Sequence, residues 1–455
     1  MDNSLKTLKQ RLLEEKVMNE SVSENENGKF RVEFIAGLST YLTLSYIFIL
    51  NPILLAKAGV NISAAFFATI ISATIATLIM GFWAKVPFAV ASAPSITTFF
   101  VSYVCLNLKL SWEAAMAAVI LSGILSILMT WASIRQNLID SIPTSLRVGI
   151  VFAVSGFLVA NGLTQVKIIS YSDGLIDLSK FNFSLLFSNN AIVLYTGLLV
   201  TFLFRLKWIR FTGAPLLGIL AASVIAAALG IKSNTQAQFS WDMISAVGKA
   251  DFFSLLDSRF LFAMLVFFII DFFGGVGKYV ALFTAMGQKK DDIDKEGMGR
   301  SLYVDGIGNI IGGFLGASSL AVFVSSAVGI TAGGRTGMTA IITACFMFVS
   351  IFTIPLVGAI PVEATSGILV YVAFLLIPYG KEKENTEEPS LSSFDILICI
   401  SAALISFLTY GIDKAILFVF VIYTAQIIWN KPKKKDIILI VTTTLLFLAV
   451  LAQLL

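Results

Sequence analysis

The chain has 455 residues, of which 57% are hydrophobic and 13% charged, with a formal net charge of +4, no histidine and three cysteines. A soluble domain carries about 25% charged residues, so the composition excludes an ordinary soluble fold and predicts an all-α polytopic membrane protein. Without histidine the commonest metal ligand and proton relay are gone; Cys105, Cys345 and Cys399 stand apart in apolar surroundings, and neither a disulfide framework, a metal site nor a cofactor is expected.

Residues 1–31 read as a charged cytoplasmic tail, LKTLKQRLLEEK followed by SVSENENGK, without the pattern of a cleavable signal peptide. Apolar segments of spanning length follow at about 34–56, 64–84, 88–106, 112–131, 144–163, 190–206 and 213–230. A second set falls at about 260–283, 301–316, 320–337, 338–357, 361–378, 393–411 and 413–429. The predicted organisation is a tail (1–31), a first seven-helix repeat (32–232), an extracytoplasmic connection (233–259), a second repeat (260–430), and a basic stretch with a last apolar run (431–455). With the N-terminus in the cytoplasm, 23 Lys and Arg fall inside and 8 outside, with Lys278 within a segment. That bias is the one the positive-inside rule demands. An odd number of spans in the first set turns the second set upside down, so the repeats are inverted.

The third and tenth segments are interrupted. Val90–Thr97, VASAPSIT, and Val324–Thr331, VSSAVGIT, are identical at five of eight positions. Each has a β-favouring run (Phe88–Ala91, Val322–Val324), then serine, then small residues, as where an extended piece meets a helix N-cap. Non-helical backbone persists in a membrane only where it is buried in protein or lines a cavity. A pair of such breaks in two halves points to a transporter's binding site. Ser92, Thr97, Ser325 and Ser326 are therefore candidate solute-binding residues; the alternative for each serine is a plain helix cap.

The eighth segment, FFIIDFFGGVGKY, is unusual in carrying charge. Asp271, Gly274 and Lys278 lie at i, i+3 and i+7 and share a helix face. Intramembrane charge marks a solute or ion path, so Asp271 is the candidate coupling residue, while Gly274 and Lys278 are candidates for solute contact. A Lys278 that snorkels to the boundary is the competing reading. In the ninth segment Gly308, Gly312 and Gly316 form a small-residue stripe for close packing. Gly333-Gly334-Arg335-Thr336-Gly337 lacks the Lys-Ser/Thr of a phosphate loop and reads as a helix end and turn. The loop 288–297 reads as a solvated mixed-charge face, and 164–189 and 231–259 as surface connections. No catalytic constellation and no nucleic-acid patch emerges, and an enzyme is not expected.

Arg31–Gly59, Ser141–Ile150 and Ser325–Ala340 resemble the nucleobase–cation symporter-2 family, in its adenine/guanine/hypoxanthine permease branch, and the similarity runs in order from residue 31. The resemblance implies fourteen helices in two inverted sevens. It also implies a core domain (helices 1–4 and 8–11) holding solute between the third and tenth segments, and a gate domain (helices 5–7 and 12–14). The chain departs from the branch at the site. Gly274 stands where the branch has its second Asp of Asp-x-x-Asp-Thr-Thr-Gly-Thr, Lys278 where it has the final Thr, and Ser325 where it has Glu before Ser-Ala.

These readings converge on a secondary active permease for a purine or nucleobase-like solute. A coupling ion, H+ or Na+, the lipid bilayer of the plasma (inner) membrane and a homodimer through the gate domain complete the expectation. Two alternatives stand beside it: an anion transporter using Lys278 and two half-helix N-termini, and a transport-inactive membrane sensor or assembly partner.

Overall fold

The computed structural model describes residues 28–131, 144–172, 175–206, 209, 211–233, 237–287, 295–377, 392–429, 440, 443, 444 and 447. The tail 1–27, the loop 288–294, the lysines of 431–435 and most of the last apolar run lie outside the described residues.

The chain folds into helices α1 Gly28–Lys57, α2 Ile62–Ala84, α3 Pro94–Thr98, α4 Trp112–Trp131, α5 Thr144–Gln165, α6 Asn189–Arg205 and α7 Ala214–Ala228. Next come α8 Ser258–Ala285, α9 Lys295–Leu315, α10 Ser326–Thr331, α11 Gly337–Ala359, α12 Val362–Leu376, α13 Ser393–Thr409 and α14 Ile412–Trp429. They overlie the expected segments in order. Of these, α1, α2, α4, α11 and residues 148–165 of α5 are long and apolar enough to cross a membrane.

Local chemistry sets the ends. The Asn61 side chain accepts from Ser63 N and Ala64 N to start α2, Asp257 caps α8, and a capping box of Ser392 and Asp395 starts α13. Inside α1, Pro52 removes a backbone donor, and the helix loosens into a turn at Ser45–Tyr46 just before it. The ends of α2 (Met80–Ala84) and the continuation of α3 (Phe99–Asn107) are π-helical. The third and tenth segments break where expected, but the strands sit about two residues earlier or later than the β-favouring runs: β1 is Val90–Ser92 and β4 is Leu320–Val322. Pairing partners decide these bounds more than propensity does. A small hairpin, β2 Tyr171–Ser172 with β3 Leu175–Ile176, lies in the connection after α5.

Helix packing sorts α1–α4 with α8–α11, through α4 on α8 and α9, α2 on α9 and α11, and α1 on α2. It sorts α5–α7 with α12–α14, through α5 on α12, α13 and α14, and α6 on α7 and α12. The two groups meet chiefly where α5 touches α3 and α8. Glycines allow the closest approaches: a Cβ on Gly123 of α4 would lie 2.7 Å from the Gly306 carbonyl of α9. Arg300 reaches Trp83 O at 3.4 Å and Arg335 N meets Glu33 Oε1 at 3.2 Å at one end; Arg259 reaches Leu108 O at 3.1 Å at the other.

Candidate functional site

The two breaks meet in the middle of the first helix group. There β1 and β4 pair antiparallel, with Val90 opposite Val322, Ala91 opposite Ala321 and Ser92 opposite Leu320, all buried. Because the strands are antiparallel and each is followed by a helix, α3 and α10 leave this ribbon in opposite directions, with their N-termini toward it. Three residues of pairing cannot satisfy a buried backbone alone, and side chains of the preceding helices complete it. Thr77 Oγ1 of α2 accepts from Val90 N and donates to Val90 O, both at 3.0 Å. On the other strand, Asn309 Oδ1 of α9 accepts from Leu320 N at 2.9 Å and from Ser319 Oγ at 2.8 Å, and Asp305 Oδ1 accepts from Val322 N at 3.2 Å.

Four of the sequence candidates are built into this framework. Ser92 Oγ donates to Ala317 O at 3.0 Å, so it is the last residue of β1 and not a helix cap; Ala93 holds that position. Thr97 Oγ1 donates to Asn51 Oδ1 at 2.7 Å and lies 2.9 Å from Ser318 Oγ. Ser326 Oγ accepts from Ala89 N at 3.0 Å, tying α10 to the start of β1. Asp271 Oδ2 accepts from Asn309 Nδ2 at 2.7 Å, so the carboxylate braces β4 through that asparagine. All four side chains are essentially inaccessible to solvent.

The other candidates stand apart from it. Ser325 precedes α10 without capping it, and its buried hydroxyl makes no hydrogen bond with a described residue. Lys278 is half-buried on α8, seven residues beyond Asp271, and makes no hydrogen bond or ion pair with a described residue. Seven helical residues span about 10 Å, so Lys278 and Asp271 stand two turns apart on α8. Gly274 is within α8, but its surroundings lie outside the described residues. Of the ninth-segment glycines, Gly312 serves β4 directly, since a Cβ there would collide with the Ser318 carbonyl and with Leu320, whereas Gly316 lies against Ala246. Gly333 takes φ +107 between α10 and α11, as a helix end and turn requires.

Sequence reading passed over Asn51, Asp305 and Asn309. Asn51 Nδ2 donates to Thr69 Oγ1 at 2.8 Å and to Ala317 O at 3.1 Å, joining α1, α2, α3 and the approach to β4. Its signal was available: a lone amide inside the apolar run IFILNPILL. Asp305 and Asn309, four apart on α9, form a polar face that the glycine stripe obscured. The crossing of the two broken helices is thus desolvated and braced by side chains of α1, α2, α8 and α9. Such a place can hold a small solute between two helix starts. Among the described residues there is no cluster of metal-ligating side chains.

The chain matches the Xan_ur_permease family model, described as a permease family, over residues 31–418. It is 30% identical over 404 residues to a putative permease of Methanocaldococcus jannaschii, covering 86% of this chain and 91% of that one. Adenine permease AdeP of Escherichia coli is 29% identical over 348 residues (76% of this chain, 77% of the relative). Guanine/hypoxanthine permease PbuG of Bacillus subtilis is 27% identical over 426 residues (90% and 93%). Among solved structures, the transmembrane domain of the cyanobacterium bicarbonate transporter BicA is similar in fold, with a TM-score of 0.65 at 16% identity over 86% of this chain and 97% of that one. SLC26A9 is similar too, with a TM-score of 0.56 at 13% identity over 88% and 66%.

Proposed function

The chain belongs to this permease family, a family of multi-pass membrane transporters and not of enzymes, and from that premise we propose that it is a secondary active permease for a purine or nucleobase-like solute. The observation that carries the reading is the buried β1–β4 ribbon between α3 and α10, a paired break in two membrane helices of the kind that marks a transporter's binding site. In this reading fourteen spans form two inverted sevens. A core of α1–α4 and α8–α11 carries the solute past a gate of α5–α7 and α12–α14, which also supplies the surface for a homodimer. The N-terminus is cytoplasmic and the membrane is the plasma membrane. Asp271, coupled through Asn309 to β4, links H+ or Na+ movement to the site.

Uptake of radiolabelled adenine, guanine and hypoxanthine into proteoliposomes tests this, with concentration of at least one of them under an imposed gradient as the expected result. Absence of uptake and of ligand-induced thermal stabilisation for all three would overturn the substrate class. One observation favours a second reading, an anionic solute: Lys278 is a half-buried cation without an acidic partner among the described residues. Competition by small carboxylates in the same vesicles separates the two.

A further inference from the structure

One helix carries two polar side chains that both reach across to the other helix group. Asn161 and Gln165 lie at i and i+4 on the last turns of α5 and so share a face. Asn161 Nδ2 donates to Ser102 Oγ, on the π-helical continuation of α3, at 2.9 Å. With the Gln165 amide turned so that both its ends are satisfied, its oxygen accepts from Lys57 Nζ, at the end of α1, at 2.9 Å. Its nitrogen then donates to Thr365 Oγ1 of α12 at 3.2 Å.

Among the described residues, side-chain hydrogen bonds between the two helix groups gather at this one end. Elsewhere the seam is apolar, with Phe157 and Leu146 of α5 in the shared core. Apolar surfaces can slide past one another and keep much of their contact. A desolvated polar rung cannot, because any slip orphans its atoms; Asn161 is 2% exposed and Ser102 4%.

We propose that Ser102–Asn161 and Lys57–Gln165 form a two-rung clasp that holds core and gate shut at this face and must open for the solute site to reach it. In the topology proposed above this is the outer face. The inference rests on the reading that solute crosses by relative movement of the two helix groups. The clasp makes the closed state the resting one and places control of opening on α5.

The test is distance measurement by pulsed electron paramagnetic resonance on the full chain in lipid nanodiscs. Spin labels replace Lys109 and Lys167, both exposed, at the outer ends of α3 and α5, in a background with the three cysteines changed to serine. The parent should give one short-distance population. Asn161→Ala and Gln165→Ala should each add a longer one, with the open-to-closed ratio rising about three- to tenfold, the weight of one hydrogen bond. Ser155→Ala, another buried polar change on α5, should leave the distribution as in the parent. In unlabelled protein, Ser102→Cys with Asn161→Cys should crosslink under mild oxidation and stop solute flux until reduced, which keeps the proposal falsifiable if an alanine variant fails to fold. Unchanged distances in both folded alanine variants, or undiminished flux through crosslinked protein, would overturn the clasp. The distances need no solute, so moving helix groups without purine transport would reject only the substrate class.

Discussion

For single side chains, the decisive fact is that the polar groups of the crossing are mostly satisfied by each other. Asp271 tolerates a change for that reason. In Asp271→Asn the amide oxygen can still accept from Asn309 Nδ2, so the variant should fold with a melting temperature near the parent's. If a proton or cation acts at Asp271, the variant should lose gradient-driven accumulation and keep solute exchange; full accumulation would remove Asp271 from coupling. Asn51→Ala is the opposite case. It removes the amide shared by Thr97 Oγ1, Thr69 Oγ1 and the Ala317 carbonyl in a dry interior; each keeps one further partner, Ser318, Ala65 O and Ser92 respectively, so the loss is about 0.5–1.5 kcal/mol per bond. A fall in melting temperature in detergent, larger than for Ser325→Ala, should result. Lys278→Gln separates the two solute classes: a bound anion should be weakened by about 2–5 kcal/mol, as when one partner of a buried charged hydrogen bond is removed, whereas a snorkelling lysine leaves affinity unchanged.

Among the elements, α8 starts at a cap with a pH signature. The Arg259 side chain beside Asp257 holds the Asp257 carboxyl below its ordinary range, and that carboxylate accepts from Arg259 N at 2.8 Å. A carboxyl depressed in the folded state contributes stability that is present above its unfolded pKa and lost as pH falls through the folded one. Thermal stability measured from pH 6 down to pH 3 should therefore fall less in Asp257→Asn than in the parent, because the asparagine still caps but does not titrate. The helices themselves were legible in the sequence, since spanning length and charge bias are local properties. So were the breaks in α3 and α10, because serine and small residues interrupt apolar runs. What the site does with those residues was not legible. Ser92 meets a carbonyl 225 positions away, and nothing near it in the chain announces that partner. The echo between VASAPSIT and VSSAVGIT suggested two equivalent caps, yet Ser92 ends a strand and Ser326 begins a helix.

For the whole molecule, the two ends are held by different chemistry. At the end of Glu33, the carboxylate accepts from Arg335 N and Thr336 N, each at 3.2 Å, and from the Thr339 hydroxyl, clipping α1 to the start of α11. That places Glu33 and Arg335 on one face of the membrane, the cytoplasmic one in the proposed topology. A cysteine at position 4 or 434 should resist a membrane-impermeant thiol reagent in intact cells; labelling from outside would invert the arrangement. The side-chain bracing of the ribbon carries a consequence for isotope exchange. The amides of Val90, Leu320 and Val322 are held by Thr77, Asn309 and Asp305, so their protection from deuterium is set by groups outside the strands. Thr77→Val should speed deuterium uptake in peptides covering β1 while leaving those covering β4 slow, and Asn309→Leu should do the reverse. Each half of the ribbon would then carry its own isotopic clock, wound by the helix that precedes it.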